Sequence, residues 1–149
     1  MTGSRRKARE AVLQALYWSE SVGDPVQQTV HTMAIRTDLS PAAAGFAMQL
    51  GKAAWAHREE MDRMIAGVAE NWSLDRISRV DRILLYMALT EILKFPDIPI
   101  RVSIDEAIEL AKRYSEAKAS GFVNGILDAL VKGGAAQARA GEPAGAGEP

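Results

Sequence analysis

No cysteine occurs among the 149 residues, which excludes disulfides, thiolate metal sites and cysteine nucleophiles. Histidine is almost as scarce: His31 and His57 are the only two, so imidazole ligation and acid–base chemistry have little to work with. Aromatic residues make up 6% of the chain. No run of about twenty apolar residues is present to span a bilayer. The opening residues, M-T-G-S-R-R-K-A-R-E, keep their charges through an amphipathic pattern and lack the unbroken apolar core of a secretory signal, which places the chain in the cytoplasm. No stretch alternates with the period of a strand, and no repeat recurs at a fixed spacing. Equipment for catalysis is sparse, and no cofactor or metal is expected.

What is present is enough for one soluble domain. Hydrophobic residues make up 48% and charged residues 25%, an ordinary globular composition, and a chain of this length buries roughly two thirds of its unfolded surface. The net charge of −1 conceals a local excess, because Arg5, Arg6, Lys7 and Arg9 crowd the first ten residues against a single Glu10.

Helical periodicity runs throughout. Ala8, Ala11, Val12, Ala15 and Leu16 share one face of a first helix ending near Ser21, with Ser4 or Thr2 as its cap. Cations in a first turn oppose the helix macrodipole by about 0.3–1 kcal/mol each, so this start reads either as a solvated terminus or as a phosphate-binding patch. Tyr17 and Trp18 read as core more readily than as base-stacking platforms. Gly23-Asp24-Pro25 stops one helix and starts another, with Asp24 as cap, reaching about Thr37. Ser40-Pro41 repeats the device and opens a third helix that extends towards Glu70, with Phe46, Leu50, Ala54, His57, Met61, Ile65 and Val68 along one apolar stripe. Ser73 caps a short helix around Leu74 to Ser78, and Trp72 anchors the junction.

The central helix is expected from about Arg79 to Phe95, turning Val80, Ile83, Leu84, Met87, Ala88, Ile92 and Phe95 inward. Glu91 lies beside this stripe and needs a partner if buried. Asp81, Arg82, Leu85 and Tyr86 point elsewhere, to solvent or to a partner. Phe95-Pro96-Asp97-Ile98-Pro99 is a rigid connector. Ser103-Ile104-Asp105-Glu106 reads as a capping box, followed by Ala107, Ile108, Leu110, Ala111 and Tyr114 on the buried side. Ser120 caps a last helix carrying Phe122, Val123, Ile126, Leu127, Leu130 and Val131, and Gly133 stops it. The expected fold is all-α, about seven helices over residues 1–133. Residues 134–149, rich in Gly, Ala and Pro, are expected to form a disordered tail.

Over residues 4–132 the chain resembles the transcription antitermination factor NusB family. The resemblance is carried by R-R-K-A-R-E-A-V-L-Q-A-L-Y at 5–17, V-D-R-I-L-L-Y-M-A-L-T-E-I-L at 80–93, D-I-P at 97–99, I-D-E-A-I-E-L-A-K at 104–112 and F-V-N-G-I-L-D at 122–128. It implies a compact single-domain bundle in two subdomains without catalytic activity. It also implies binding to single-stranded boxA RNA of nascent ribosomal transcripts together with the small-subunit ribosomal protein NusE, in the transcription elongation complex with other Nus factors. The RNA surface so implied includes Arg5, Arg6, Lys7 and Arg9, joined by Lys118, Phe122 and Asn124; cations hold the phosphates and an aromatic stacks on an unpaired base. The NusE surface implied includes Asp81, Leu84 and Leu85, although Leu84 serves equally well as core. The chain departs from the family pattern at Asp105, where Asn is usual, at Tyr86, where a basic residue is common, and at Thr90, a frequent Tyr.

Two other readings compete. A similar helical domain begins some ribosomal RNA cytosine methyltransferases, but a glycine-rich nucleotide loop, a following α/β pattern and a cysteine nucleophile are all missing here. A helical protein-interaction module without specific RNA binding is the second, and it predicts weak binding indifferent to RNA sequence. The partner expectations are completed by a monomer or weak homodimer, with no membrane.

Overall fold

The computed structural model describes residues 2–69 and 76–134. They form seven α-helices, and among the described residues there is no strand: α1 (Thr2–Val22), α2 (Val26–Arg36), α3 (Pro41–Ala56), α4 (Arg58–Val68), α5 (Arg79–Lys94), α6 (Ile100–Tyr114) and α7 (Ala119–Lys132). The all-α expectation therefore holds. None of these helices is long and apolar enough to cross a membrane. The tail expected beyond residue 134, the Trp72 anchor, the Ser73 cap and residues 74–75 of the short helix expected around Leu74 to Ser78 lie outside the described residues; Arg76, Ile77 and Ser78 are described and form no α-helix.

The chain divides into two units, Met1–His57 and Arg58–Pro149. In the first, α1, α2 and α3 pack pairwise. Their shared core is built from small and branched side chains: Ala8, Ala11, Val12, Ala15, Leu16, Val30, Ala47, Leu50 and Ala54 are completely buried. Gly51 makes the α2–α3 contact possible, since a Cβ there would stand 2.8 Å from Val30 Cγ2. At the end of α1, Gly23 takes φ +86°, a conformation that side chains disfavour, and its N–H closes on the Ser19 carbonyl at 2.8 Å. One hydrogen bond within this core is polar on both sides, Ser19 Oγ to Thr29 Oγ1 at 2.8 Å.

In the second unit α5 packs against α4, α6 and α7, and every residue from Ile83 to Leu93 is buried. A helix buried all round needs partners for each polar group it carries. Glu91, 2% exposed, accepts from Ser103 Oγ at 2.7 Å. Asp81 accepts from Ser115 Oγ at 2.7 Å, and Tyr86 Oη donates to Asp62 Oδ1 at 2.6 Å, tying α5 to α4. Burial first, and the Asp62 carboxylate second, push the Tyr86 hydroxyl well above the ordinary phenol range.

Several local expectations are corrected. The long third helix breaks at His57 (φ −104°, ψ 14°), which caps α3 and is half-buried. Glu59 and Glu60 then occupy the first turn of α4, where carboxylates favour a helix start. Four expected side-chain caps are displaced. α1 begins at Thr2, which places Ser4 inside the helix. Pro25, not Asp24, caps α2, and Pro99, not Ser103, caps α6, each with extended backbone and no side-chain bond. Ser103 lies within α6, its hydroxyl taken by Glu91. Lys118, not Ser120, precedes α7. The Ser40 cap is as expected, accepting from Ala43 N–H at 3.2 Å with Pro41 in the first turn. Ser78 likewise accepts from Asp81 N–H at 3.1 Å at the start of α5. Tyr17, expected in the core, is 42% exposed, and Tyr114 is exposed as well.

Candidate nucleic-acid interface

The basic cluster lies on α1 in the first unit. Arg5, Arg6 and Lys7 are exposed, whereas Arg9 is 4% exposed. Because the helix begins at Thr2, these cations stand about one turn in, and no acidic residue occupies the first turn. The dipole conflict expected for cations in a first turn is thereby weakened, since that interaction fades beyond the terminal turn. Exposure and organisation of the guanidinium groups now matter more than relief of the dipole.

That organisation comes from Phe46 on α3. The Arg5 guanidinium carbon lies 4.2 Å from the centre of the Phe46 ring and that of Arg9 lies 5.3 Å from it. Residues four apart on a helix share a face, so both arginines reach the same ring, within cation–π range. Arg9 is thus a buried cation held in the α1–α3 contact, while Arg5 remains accessible. Phe46 appeared in the sequence only as a member of an apolar stripe. The spacing of Arg5 and Arg9 marked a shared face, but nothing marked which ring would meet it. A related contact places the Arg36 guanidinium 5.6 Å from the Trp18 ring.

The remaining nucleic-acid candidates lie on the second unit. Lys118, at the start of α7, is exposed; Phe122 is half-buried and Asn124 exposed. Phe122 thus keeps part of its ring accessible instead of joining the core fully. Lys118 and Phe122 line a cleft of about 300 Å³ together with Arg76, Ser78, Asp81 and Ser115. Within it Asp81 is held through its backbone N–H by Ser78 Oγ and through its carboxylate by Ser115 Oγ, beside the apolar Ile77, Ala119 and Phe122.

The candidates for a protein partner fare differently. Asp81 is 9% exposed, Leu84 1% and Leu85 0%. Leu85 and Tyr86 therefore do not point away from the core as expected; both are interior residues of the second unit. Asp81, assigned from the sequence to a protein partner, instead shares a cleft with two residues assigned to RNA. No group of three or more His, Cys, Asp or Glu positioned to hold a metal ion occurs among the described residues.

Comparison with known proteins gives a consistent result. The model of the NusB family matches residues 6–132. The transcription antitermination protein NusB of Salinibacter ruber is 43% identical over 129 residues, covering 86% of this chain and 81% of the relative. Among solved structures, T. maritima NusB superposes with a TM-score of 0.80 at 39% identity, covering 86% of this chain and 90% of the other. A crystal structure of the antitermination factors NusB and NusE in complex with dsRNA matches with a TM-score of 0.78 at 27% identity, covering 89% of this chain and 99% of that one.

Proposed function

The chain belongs to the NusB family, and we propose that it is a transcription antitermination factor that binds boxA RNA of nascent ribosomal transcripts together with ribosomal protein NusE. Its work is binding. The observation that carries this reading is the run Arg5, Arg6 and Lys7, exposed on α1 with one guanidinium stacked on Phe46. Such a run supplies charge for phosphates and planar donors for RNA at low ordering cost. Likeness to the NusB and NusE structure with dsRNA supports RNA and NusE as the partners.

Within this reading Arg5, Arg6 and Lys7 contact phosphate, and Arg9 supports them from below. Lys118, Phe122 and Asn124 supply a second set of RNA contacts, with the accessible part of Phe122 available for stacking on an unpaired base. Asp81, Leu84 and Leu85 serve NusE binding by fixing the surface above them, since their own side chains are buried. RNA and NusE reinforce each other because binding one makes the second contact effectively intramolecular. The protein acts in the cytoplasm, as a monomer or weak homodimer, within an elongation complex that includes other Nus factors; residues 1–133 form the functional domain.

Fluorescence anisotropy with a boxA RNA and a scrambled RNA, at one fixed salt concentration and with or without NusE, tests the proposal. Preference for boxA that strengthens with NusE is the expected result. Equal, weak binding to both RNAs in every condition would favour the protein-interaction module.

A further inference from the structure

We propose that Phe46 is a positioning residue of the RNA surface: its ring pre-orders the Arg5 guanidinium for phosphate, with Arg9 as a buried second support on the same ring. This rests on the RNA-binding reading above and assigns a role to a residue of α3 that carries no charge and is itself only 6% exposed.

The geometry separates the two arginines. Arg5 lies 4.2 Å from the ring centre and is exposed; Arg9 lies at 5.3 Å and is 4% exposed. A guanidinium that rests its flat face on a ring keeps its N–H donors along the edge, where they match a phosphate in a bidentate manner. A lysine at the same position would keep the charge but lose both the stack and the fork. Immobilising a long side chain is one of the costs of association. The ring meets part of that cost before RNA arrives, since Phe46 is fixed by burial among α1 and α3 residues. Arg9 cannot present its guanidinium to RNA from this buried position, so its contribution is to the α1–α3 contact and to the electrostatic potential above it.

The test compares wild type, Phe46→Leu, Arg5→Ala and the double variant. One readout is the NMR shift of the Arg5 Nε–Hε pair, which senses the ring without any RNA; the other is boxA affinity by anisotropy. Phe46→Leu should abolish the ring-induced shift and weaken boxA binding about threefold to tenfold in the wild-type background, but less than about twofold in the Arg5→Ala background. Equal weakening in both backgrounds would overturn the proposal, because the ring would then act through the fold alone. An Arg5 shift insensitive to Phe46→Leu would overturn it as well.

Arg5→Lys keeps the core untouched and guards against a Phe46 variant that fails to fold. It should weaken boxA binding by a similar factor, and wild-type affinity for Arg5→Lys would contradict the role of the stacked plane. Failure of the underlying RNA reading has a different signature: wild type itself would bind boxA no better than scrambled RNA while the ring-induced shift remained, and the positioning role would fall with it.

Discussion

The two units treat their polar residues in opposite ways. In the first, α1 to α3 meet through alanine, valine, leucine and a glycine, and the cations of α1 are left at the surface or stacked on an aromatic ring. In the second, the central helix α5 draws polar groups inward and pairs three of them there, Asp81 with Ser115, Glu91 with Ser103 and Tyr86 with Asp62, while the buried Thr90 hydroxyl is left over. Arg5, Arg6 and Lys7 of the first unit are exposed, whereas Asp81 and Glu91 of α5 are buried and hydrogen-bonded within the fold.

The largest effect should come from breaking a committed pair. Glu91→Ala leaves the Ser103 hydroxyl without its acceptor and opens a void beside α5, and is expected to destabilise the protein by about 3 kcal/mol in urea unfolding. Removal of a buried partner from such a pair is the damaging change; RNA affinity of the protein that remains folded should be unaltered. In the first unit the corresponding weak point is steric. Gly51→Ala places a methyl group 2.8 Å from Val30 Cγ2, with Val12 and Val26 at 3.8 Å, at a cost of about 2 kcal/mol. Combining it with Val30→Ala should cost less than the sum of the two single changes, because each creates the room or the filling that the other lacks.

Tyr86→Phe should cost about 1 kcal/mol, since Asp62 loses a hydrogen bond but remains half-buried and reachable by water. This pair also has a pH signature. The folded-state hydroxyl titrates above its ordinary value of 10.0, so its contribution to stability is fully present below pH 10 and is lost as pH rises through the higher folded value. Ultraviolet titration should show a phenol that resists ionisation until unfolding, and Tyr86→Phe should remove that component. The smallest expected effect has the opposite sign. Thr90 is completely buried, and its hydroxyl has no partner among the described residues. Thr90→Val keeps the shape and removes the unsatisfied group, so thermal unfolding should show no loss and up to about 1 kcal/mol of gain.

These contrasts also explain what could be read from the residues. Helix number and order were legible because the apolar periodicity is strong and punctuated by Gly23-Asp24-Pro25, Ser40-Pro41 and the two prolines around Asp97. Helix starts were less so. Pro25 and Pro99 set the extended geometry of a cap by themselves, which leaves nearby Asp24 and Ser103 without that task. Ser103 could not be distinguished from a capping serine, because its true partner, Glu91, is twelve residues away on another helix. The break at His57 has no glycine or proline to announce it; Glu59 and Glu60 behind it were the available signal. The candidate site was legible in its charges but not in its organisation. The arginine-rich start of α1 stood out, whereas the distinction between an exposed Arg5 and a buried Arg9 depends on where Phe46 falls. Leu85 and Tyr86 were misjudged as outward-facing because one helical stripe was assumed for α5, which is in fact buried on all sides from Ile83 to Leu93; Leu84 is core, as its place on that stripe indicated.

The central claim is that the exposed cations of α1 hold RNA while the polar groups of α5 hold the fold. It is tested most directly by the salt dependence of boxA binding for wild type and the Arg5→Ala/Arg6→Ala variant. Each phosphate contact on a single strand contributes about 0.7 to the slope of log affinity against log salt, so the double variant should show a slope shallower by about 1.4, with unchanged urea stability. A slope identical to that of the wild type, at equal stability, would contradict the claim and move the phosphate contacts elsewhere on the protein.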